Sequence, residues 1–468
     1  MTHTDGHTKL PLPAPPRPPP GARLDFIDLF AGLGGFHQAL HKLGHRCVFA
    51  SEIDEELRNI YTENFPDMAG PVVGDIRRHI QNVPQHQLLC AGFPCQPFSK
   101  SGFRKGFNDP TDGTLFHEVL KVIDRCNPYY VILENVGNFE RHDGGNTWKV
   151  VKDSLKERGY SFKATEHSST QGGHGLVSPH HLGHPQHRER FFVAAARGEL
   201  PAEPFPPVHR KRLTQFDRIL RDPTTEQEKQ ETALSEQQAA CIEHWNRLLE
   251  ALPRNFKVIT PLWGDEFGAK YPYEKASEQP ANLTARELEE YLGPKAEGKT
   301  KTELLEMLPS YARHERKFPD WKVTFIRQSR AWWEEARIVA PKSWLRELKH
   351  FPFSLRKLEW HGGEERDLWT CVLQFRPSGL RAKRWGQVPA LVAMTATQIP
   401  ILGEKRRFLT RAEGKLLQGF PEGHRLPARR PDAFAALGNA VHVHVIEEIG
   451  RRFVGEAALS VAPLATVH

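Results

Sequence analysis

The chain has 468 residues, 64 Lys and Arg against 57 Asp and Glu, 24 His and 6 Cys, with 39% hydrophobic and 26% charged residues. This is globular material, not a disordered or collagen-like chain, and it exceeds the ~250–300 residues at which single cores stop growing. Two domains, or one with a large insertion, are therefore expected. No apolar run reaches the ~18 residues of a membrane span, and no basic-then-apolar leader opens the chain. The cysteines at 47, 90, 95, 126, 241 and 371 lack the spacing of a disulfide framework, so a cytoplasmic protein with reduced thiols is expected.

The net charge of +7 is unevenly placed. Residues 311–430 hold 25 Lys and Arg against 12 Asp and Glu, together with Trp321, Trp332, Trp333, Trp344, Trp360, Trp369 and Trp385. Such a block suits a polyanion, with a solvated basic surface over a Trp-filled core as the plain alternative.

Residues 1–22 read as an extended tail, since seven of the ten positions from Pro11 to Pro20 are proline. Apolar runs then follow at 24–30, 47–53, 71–73, 87–91, 129–133 and 191–196. Helical spacing separates them near 36–43, 53–64, 114–125 and 147–158. Strands alternating with helices predict a parallel α/β sheet. Pro204, Pro206 and Pro207 mark a break, after which 224–252 and 286–312 are helical and charged. From 321 to 400 short β-like segments are expected, among them 321–326 and 369–375. A helical pair at 410–417 and 434–449 closes the chain.

Chemistry gathers at the strand ends. The first run leads into Phe30-Ala31-Gly32-Leu33-Gly34-Gly35, a strand–turn–helix that lets backbone N–H groups approach a ligand. A dinucleotide fingerprint requires a third glycine where His37 stands, which disfavours NAD. Glu52, 20 residues after Gly32, is placed for ribose hydroxyls, and Asp75, in Gly74-Asp75-Ile76, for an adenine amino group. The three in order favour a nucleoside cofactor such as S-adenosylmethionine. Cys95 stands in Gly92-Phe93-Pro94-Cys95-Gln96, where α/β sheets place ligands. A buried small hydrophobe and a zinc ligand beside Cys90 are the alternatives, but no second Cys pair follows. Glu134, after four apolar residues, is a candidate proton donor with a raised pKa, or else a helix cap. Gln186-His187-Arg188-Glu189-Arg190 puts two guanidiniums on one side of an extended chain, suited to phosphate or a base carbonyl. His174, His180, His181, His184 and His187 show no convincing helical ligand pair, and no metal is expected.

Phe30–Gly35, Pro94-Cys95-Gln96, Glu134-Asn135-Val136, Gln186-x-Arg188-x-Arg190 and Gly438-Asn439-Ala440-Val441 stand in the order of the bacterial DNA (cytosine-5) methyltransferases, which the chain resembles over 24–200 and 405–450. The last motif usually carries Ser where Ala440 stands, and the loop 171–184 is longer and richer in His and Gly than usual. The resemblance implies a doubly wound, Rossmann-like S-adenosylmethionine-dependent methyltransferase domain at 23–204. A mixed α/β target-recognition domain at 205–400 is inserted before the C-terminal helix, 401–455 returns to the catalytic domain, and 456–468 is a tail.

By that resemblance Cys95 adds to C6 of a flipped-out cytosine while Glu134 holds or protonates N3, the Phe93 carbonyl and Glu134 read the amino edge, and Arg190 meets O2. Arg188 steadies the active-site loop or a phosphate. Phe30, Gly32, Gly34, Glu52, Asp75, Ile76 and Asn439 are the implied cofactor contacts. Ser101 and Arg104, in a closing loop at 99–108, and Gln186 are implied at the DNA. The implied partner is double-stranded DNA, with a cognate restriction endonuclease as a candidate second, and the implied state is a cytoplasmic, nucleoid-associated monomer.

Two alternatives stay open: a tRNA cytosine-5 methyltransferase, whose Cys-Phe-Thr signature is missing here, and an inactive DNA-binding regulator. Sequence specificity is expected in 321–400, where Arg327, Arg330, Arg376, Arg381, Lys383 and Arg384 offer guanine-pairing groups, with Arg381 and Arg384 singled out. The acidic helices of 224–252 are not expected to face DNA. Thr395 or Thr397 is a candidate backbone contact.

Overall fold

The runs 24–30, 47–53 and 87–91 become neighbouring strands because each offers four or more buried residues to helices on both faces. The computed structural model describes residues 13–94, 115–167, 174–208, 216–392 and 398–458. It divides into two compact units, one drawn from Met1–Arg221, Ala390–Met394 and Arg411–His468, the other from Asp222–Pro389 and Thr395–Thr410.

The first unit holds β1 (Asp25–Leu29), β2 (Arg46–Ser51), β3 (Val72–Val73), β4 (Leu88–Gly92), β5 (Tyr130–Val136), β6 (Ser161–Ala164) and β7 (Arg190–Ala196), ordered β3-β2-β1-β4-β5-β7-β6. Helices α1 (Gly35–Lys42), α2 (Glu55–Asn64), α3 (Leu115–Cys126) and α4 (Asn146–Glu157) lie between them in sequence. In α3, Phe116, Val119, Leu120 and Ile123 repeat at three- and four-residue spacing and are buried, which is why this segment folds as a helix against the sheet. The winding reverses between β1 and β4, and ligands bind α/β sheets in the crevice at such a switch point.

Two sequence expectations change here. The sheet is parallel from β3 through β5, but β7 runs antiparallel to both β5 and β6. β6 has no apolar run to announce it, being half exposed along its length. Among the described residues no α-helix joins β6 to β7, and antiparallel neighbours need no helical crossover. The single helix expected over 434–449 is two, Arg430–Asn439 and Val443–Phe453, separated by an extended Ala440. The Gln418 amide donates to the carbonyls of Leu437 (2.8 Å) and Ala440 (3.0 Å), which satisfies groups that a helix end leaves open.

The second unit is built on a six-stranded sheet of β8 (Leu262–Trp263), β9 (Lys357–His361), β10 (Cys371–Arg376), β11 (Gly379–Arg384), β12 (Ile401–Leu402) and β13 (Arg407–Phe408), ordered β13-β12-β10-β11-β9-β8. The acidic stretch forms helices Glu226–Thr232 and Glu236–Ala251, the second started by a Ser235–Gln238 capping box. Residues 321–326 are not β-like. They lie in the helix Asp320–Ala336, whose buried Ile326, Ser329, Trp333 and Ala336 follow a three- and four-residue spacing that the local aromatic content masked.

Candidate active site

At the end of β1 the chain turns through Phe30 (φ 59°), Gly32 (φ 53°) and Gly34 (φ 79°), all left-handed. A Cβ at Gly34 would fall 2.4 Å from the Phe65 ring, so the position admits only glycine. Glu52 follows β2 and reaches back to this turn: its Oε2 accepts from the Gly32 N–H at 2.8 Å and its Oε1 from the Asp54 N–H at 2.9 Å. Next to it, Ile53 is 70% exposed and offers an apolar surface, a feature that reading the sequence passed over. A carboxylate, a glycine turn and an apolar wall together fit a nucleoside, with the carboxylate for ribose hydroxyls and Ile53 for a planar ring.

Asp75 is engaged differently from the expectation that it waits for an adenine. It caps the short 3-10 helix Ile76–Arg78, and both of its oxygens receive the Arg77 side chain at 2.6–2.9 Å. The hydrogen bonds from Arg77 hold its carboxyl below the usual range. The Ile76 side chain is buried. His37, at the missing third glycine, is a core residue stacked on Phe65 (centroids 3.8 Å apart), and burial pulls its pKa to about 3.

The ends of β4 and β5 meet in register at Gly92 and Glu134. Glu134 is buried, and its Oε1 lies 3.1 Å from Arg190 Nε, at the start of the antiparallel β7. Burial raises the Glu134 carboxyl above the usual range, and the charges of Arg190 and Arg188 oppose this without cancelling it. A Cβ at Gly92 would lie 3.6 Å from Glu134 Oε2 and 3.6 Å from Val441, so a small residue keeps this corner open. The Asn135 amide donates to the Phe93 carbonyl at 2.9 Å, and Asn135 Oδ1 accepts from the Val136 N–H. Asn135 thus ties the end of β5 to the segment leading to Cys95, a role its place in the motif did not reveal.

The two arginines of the 186–190 segment part company. Arg190 turns to Glu134, whereas Arg188 is 2% exposed and donates to the carbonyls of Gly438 (2.9 Å), Ala440 (2.9 Å) and Leu391 (3.3 Å). Arg188 therefore braces the helix break at Ala440 through that residue's carbonyl. Val441, just beyond, packs on α1: a Cβ at Gly35 would fall 2.6 Å from Val441 Cγ2. Asn439 is exposed at the end of its helix, and Gln186 is fully buried with no hydrogen bond to its amide among the described residues.

Arg188→Met is expected to cost about 3–5 kcal/mol by urea denaturation, because buried carbonyls lose a charged donor. Arg190→Met should cost about 1 kcal/mol or less, since Glu134 can take up a proton instead.

Cys95, Ser101 and Arg104 lie outside the described residues, as do the rest of the loop 99–108, Thr395 and Thr397. In the second unit Arg381 pairs with Glu359 on one face of the sheet. Arg384 ends the same strand on the opposite face, against the turn at Gly363. The histidines of the 174–187 segment stack in pairs, His180 on His187 and His184 on His444, with centroids 4.1 and 4.3 Å apart. Among the described residues no group of three or more His, Cys, Asp or Glu is arranged to hold a metal ion.

The sequence profile of the C-5 cytosine-specific DNA methylases matches residues 24–455. The type II methyltransferase M.AluI of Cellulosimicrobium cellulans is 31% identical over 92% of this chain and 92% of its own length. Higher identity over shorter spans is found with M.MspI of Moraxella sp, 42% over 36% of this chain and 38% of that protein. M.HhaI of Haemophilus parahaemolyticus is likewise 42% identical, over 39% of this chain and 52% of its own. A match that begins beside β1 and ends after the helix Val443–Phe453 takes in both units, and the chain belongs to the C-5 cytosine-specific DNA methylase family, as a DNA (cytosine-5) methyltransferase with S-adenosyl-L-methionine as cofactor.

Proposed function

We propose that the enzyme modifies a cytosine flipped out of double-stranded DNA, with Cys95 bonded to C6 during the reaction. Cytosine C5 is a poor nucleophile, and addition of the Cys95 thiolate to C6 makes it an enamine carbon. Glu134 gives a proton to N3, which draws electron density from the ring and lowers the barrier to that addition. Arg190 holds the Glu134 carboxyl in place and offers a donor to O2 of the base. Bound S-adenosyl-L-methionine supplies a methyl group on a sulfonium. Loss of the C5 proton and elimination then release Cys95.

The observation that carries this reading is the buried Glu134 carboxyl, raised by burial, beside the end of the strand that leads within three residues to Cys95. Incubation with cofactor and a duplex containing 5-fluorocytosine tests it, because fluorine at C5 blocks the elimination. A denaturation-resistant protein–DNA adduct is expected. Methylation of ordinary DNA without an adduct on the fluorinated duplex would overturn the covalent route.

The cofactor assignment rests on Glu52 and the glycine turn. Glu52→Ala is expected to weaken S-adenosyl-L-methionine binding about 10- to 100-fold in calorimetry, the worth of a charge-assisted hydrogen bond. The same change should leave DNA affinity near that of the wild type.

The second unit serves as the target-recognition part. The type II names of the relatives support a place in a restriction–modification pair, with an endonuclease of the same specificity as partner. No described helix is long and apolar enough to cross a membrane.

A further inference from the structure

Successive side chains of a strand point to opposite faces, and along β9 and β11 this separates a polar side from an apolar one. The pairs Glu359↔Arg381 and His361↔Lys383 between β9 and β11, and Gln374↔Arg381 between β10 and β11, set these residues on one face. Leu358, Trp360, Leu373, Leu380 and Ala382 fill the other and are buried. Arg384 shares the parity of Leu380 and Ala382, and so stands apart from the polar face.

Glu359 is the centre of that face. Its Oε2 accepts from Arg381 Nε at 2.6 Å and lies 3.5 Å from Arg376 Nη1, at the tip of the β10–β11 hairpin. The Glu359 side chain is 13% exposed, while Arg381 and Arg376 are 26% and 30% exposed. Burial alone would raise the Glu359 carboxyl, but hydrogen bonds from Ser378 and Arg381 and the charge of Arg376 outweigh it and hold it below the usual range. One ionised carboxylate thus tethers two guanidiniums that remain partly exposed.

A carboxylate is a poor neighbour for DNA phosphate, so a surface meant only for the backbone has no use for Glu359. It is a good partner for the cytosine amino group, just as the arginine fork suits guanine O6 and N7. Resting on the reading of this unit as the target-recognition part, we infer that Glu359 and Arg381 form a preset couple that reads one G·C pair of the target, Arg381 on guanine and Glu359 on the cytosine amino group. Arg376 stays on the carboxylate and keeps it ionised and oriented. Both arginines bond through Oε2, so an Oε1 lone pair can accept the amino group while they stay in place.

The test uses the full chain, labelled cofactor and a library of double-stranded DNA sites, with Glu359→Gln and Arg381→Lys beside the wild type. Each variant should lose about tenfold or more of the preference for one G·C position, the same position in both, and keep its preference elsewhere. Arg381→Lys keeps the charge and the ion pair but not the fork, so it carries the prediction even if Glu359→Gln does not fold. Cofactor affinity, a property of the first unit, should be unchanged in both. Slowing of every site by one factor, or an unchanged preference, would overturn the inference. A wild type that methylates no DNA in the library would instead count against the functional reading beneath it.

Discussion

Cys95→Ser abolishes methyl transfer and leaves cofactor binding intact. The thiol is the group that bonds to C6, and its thiolate is accessible near neutral pH, with an ordinary cysteine pKa of about 8.5. A serine hydroxyl is far harder to ionise and lacks the polarisable sulfur, so the enamine does not form. Turnover should fall by at least about a hundredfold, since losing a nucleophile removes a step and not merely a contact. Glu52 and the glycine turn, which follow β2 and β1, are left unchanged by the substitution, so calorimetry with S-adenosyl-L-methionine should give the wild-type affinity. A variant that keeps more than about a tenth of wild-type turnover shows that chemistry does not pass through Cys95.

Glu134→Gln is the second large effect. The amide still accepts and donates hydrogen bonds, and it fills nearly the same volume in the corner between Gly92 and Arg190. What it lacks is a proton to give to N3. Turnover should drop about 10²–10⁴-fold, the usual worth of a positioned acid, while DNA affinity in a filter or fluorescence assay changes little.

The same variant has a stability signature with a definite sign. Burial raises the Glu134 pKa above its ordinary 4.5, so the folded protein binds this proton more tightly than the unfolded chain. Its contribution to stability is full below the ordinary value and is lost as pH rises through the raised one. The substituted amide cannot ionise, so denaturation midpoints of the variant should gain on the wild type as pH climbs through that window. A variant that loses ground instead would place a well-paired carboxylate with a lowered pKa at this position. Turnover within threefold of the wild type would move the acid elsewhere.

The parallel half of the catalytic sheet was legible because each strand carries its own apolar run and each helix its own three- and four-residue spacing. β6 escaped, being short, half exposed and without an apolar run. The helix Asp320–Ala336 escaped for the opposite reason: Trp321, Phe325 and Trp332 give a β-like local composition, while its burial repeats at helical spacing. Local content and periodicity disagreed there, and packing followed periodicity.

The sequence by itself determined the family, the order of its motifs and the residue types at the site, because glycine turns, a Cys after Pro and paired arginines are written in consecutive positions. Which partner each side chain meets was decided only by the fold. Arg188 and Arg190 look equivalent two residues apart, yet one lies buried among carbonyls near 391 and 440 and the other meets Glu134. Asp75 is held by Arg77, and Arg381 and Arg384 face opposite ways from a single strand. Such outcomes depend on contacts between distant segments and on strand parity, and a charged side chain in a folded interior takes the partner that satisfies it at the least desolvation.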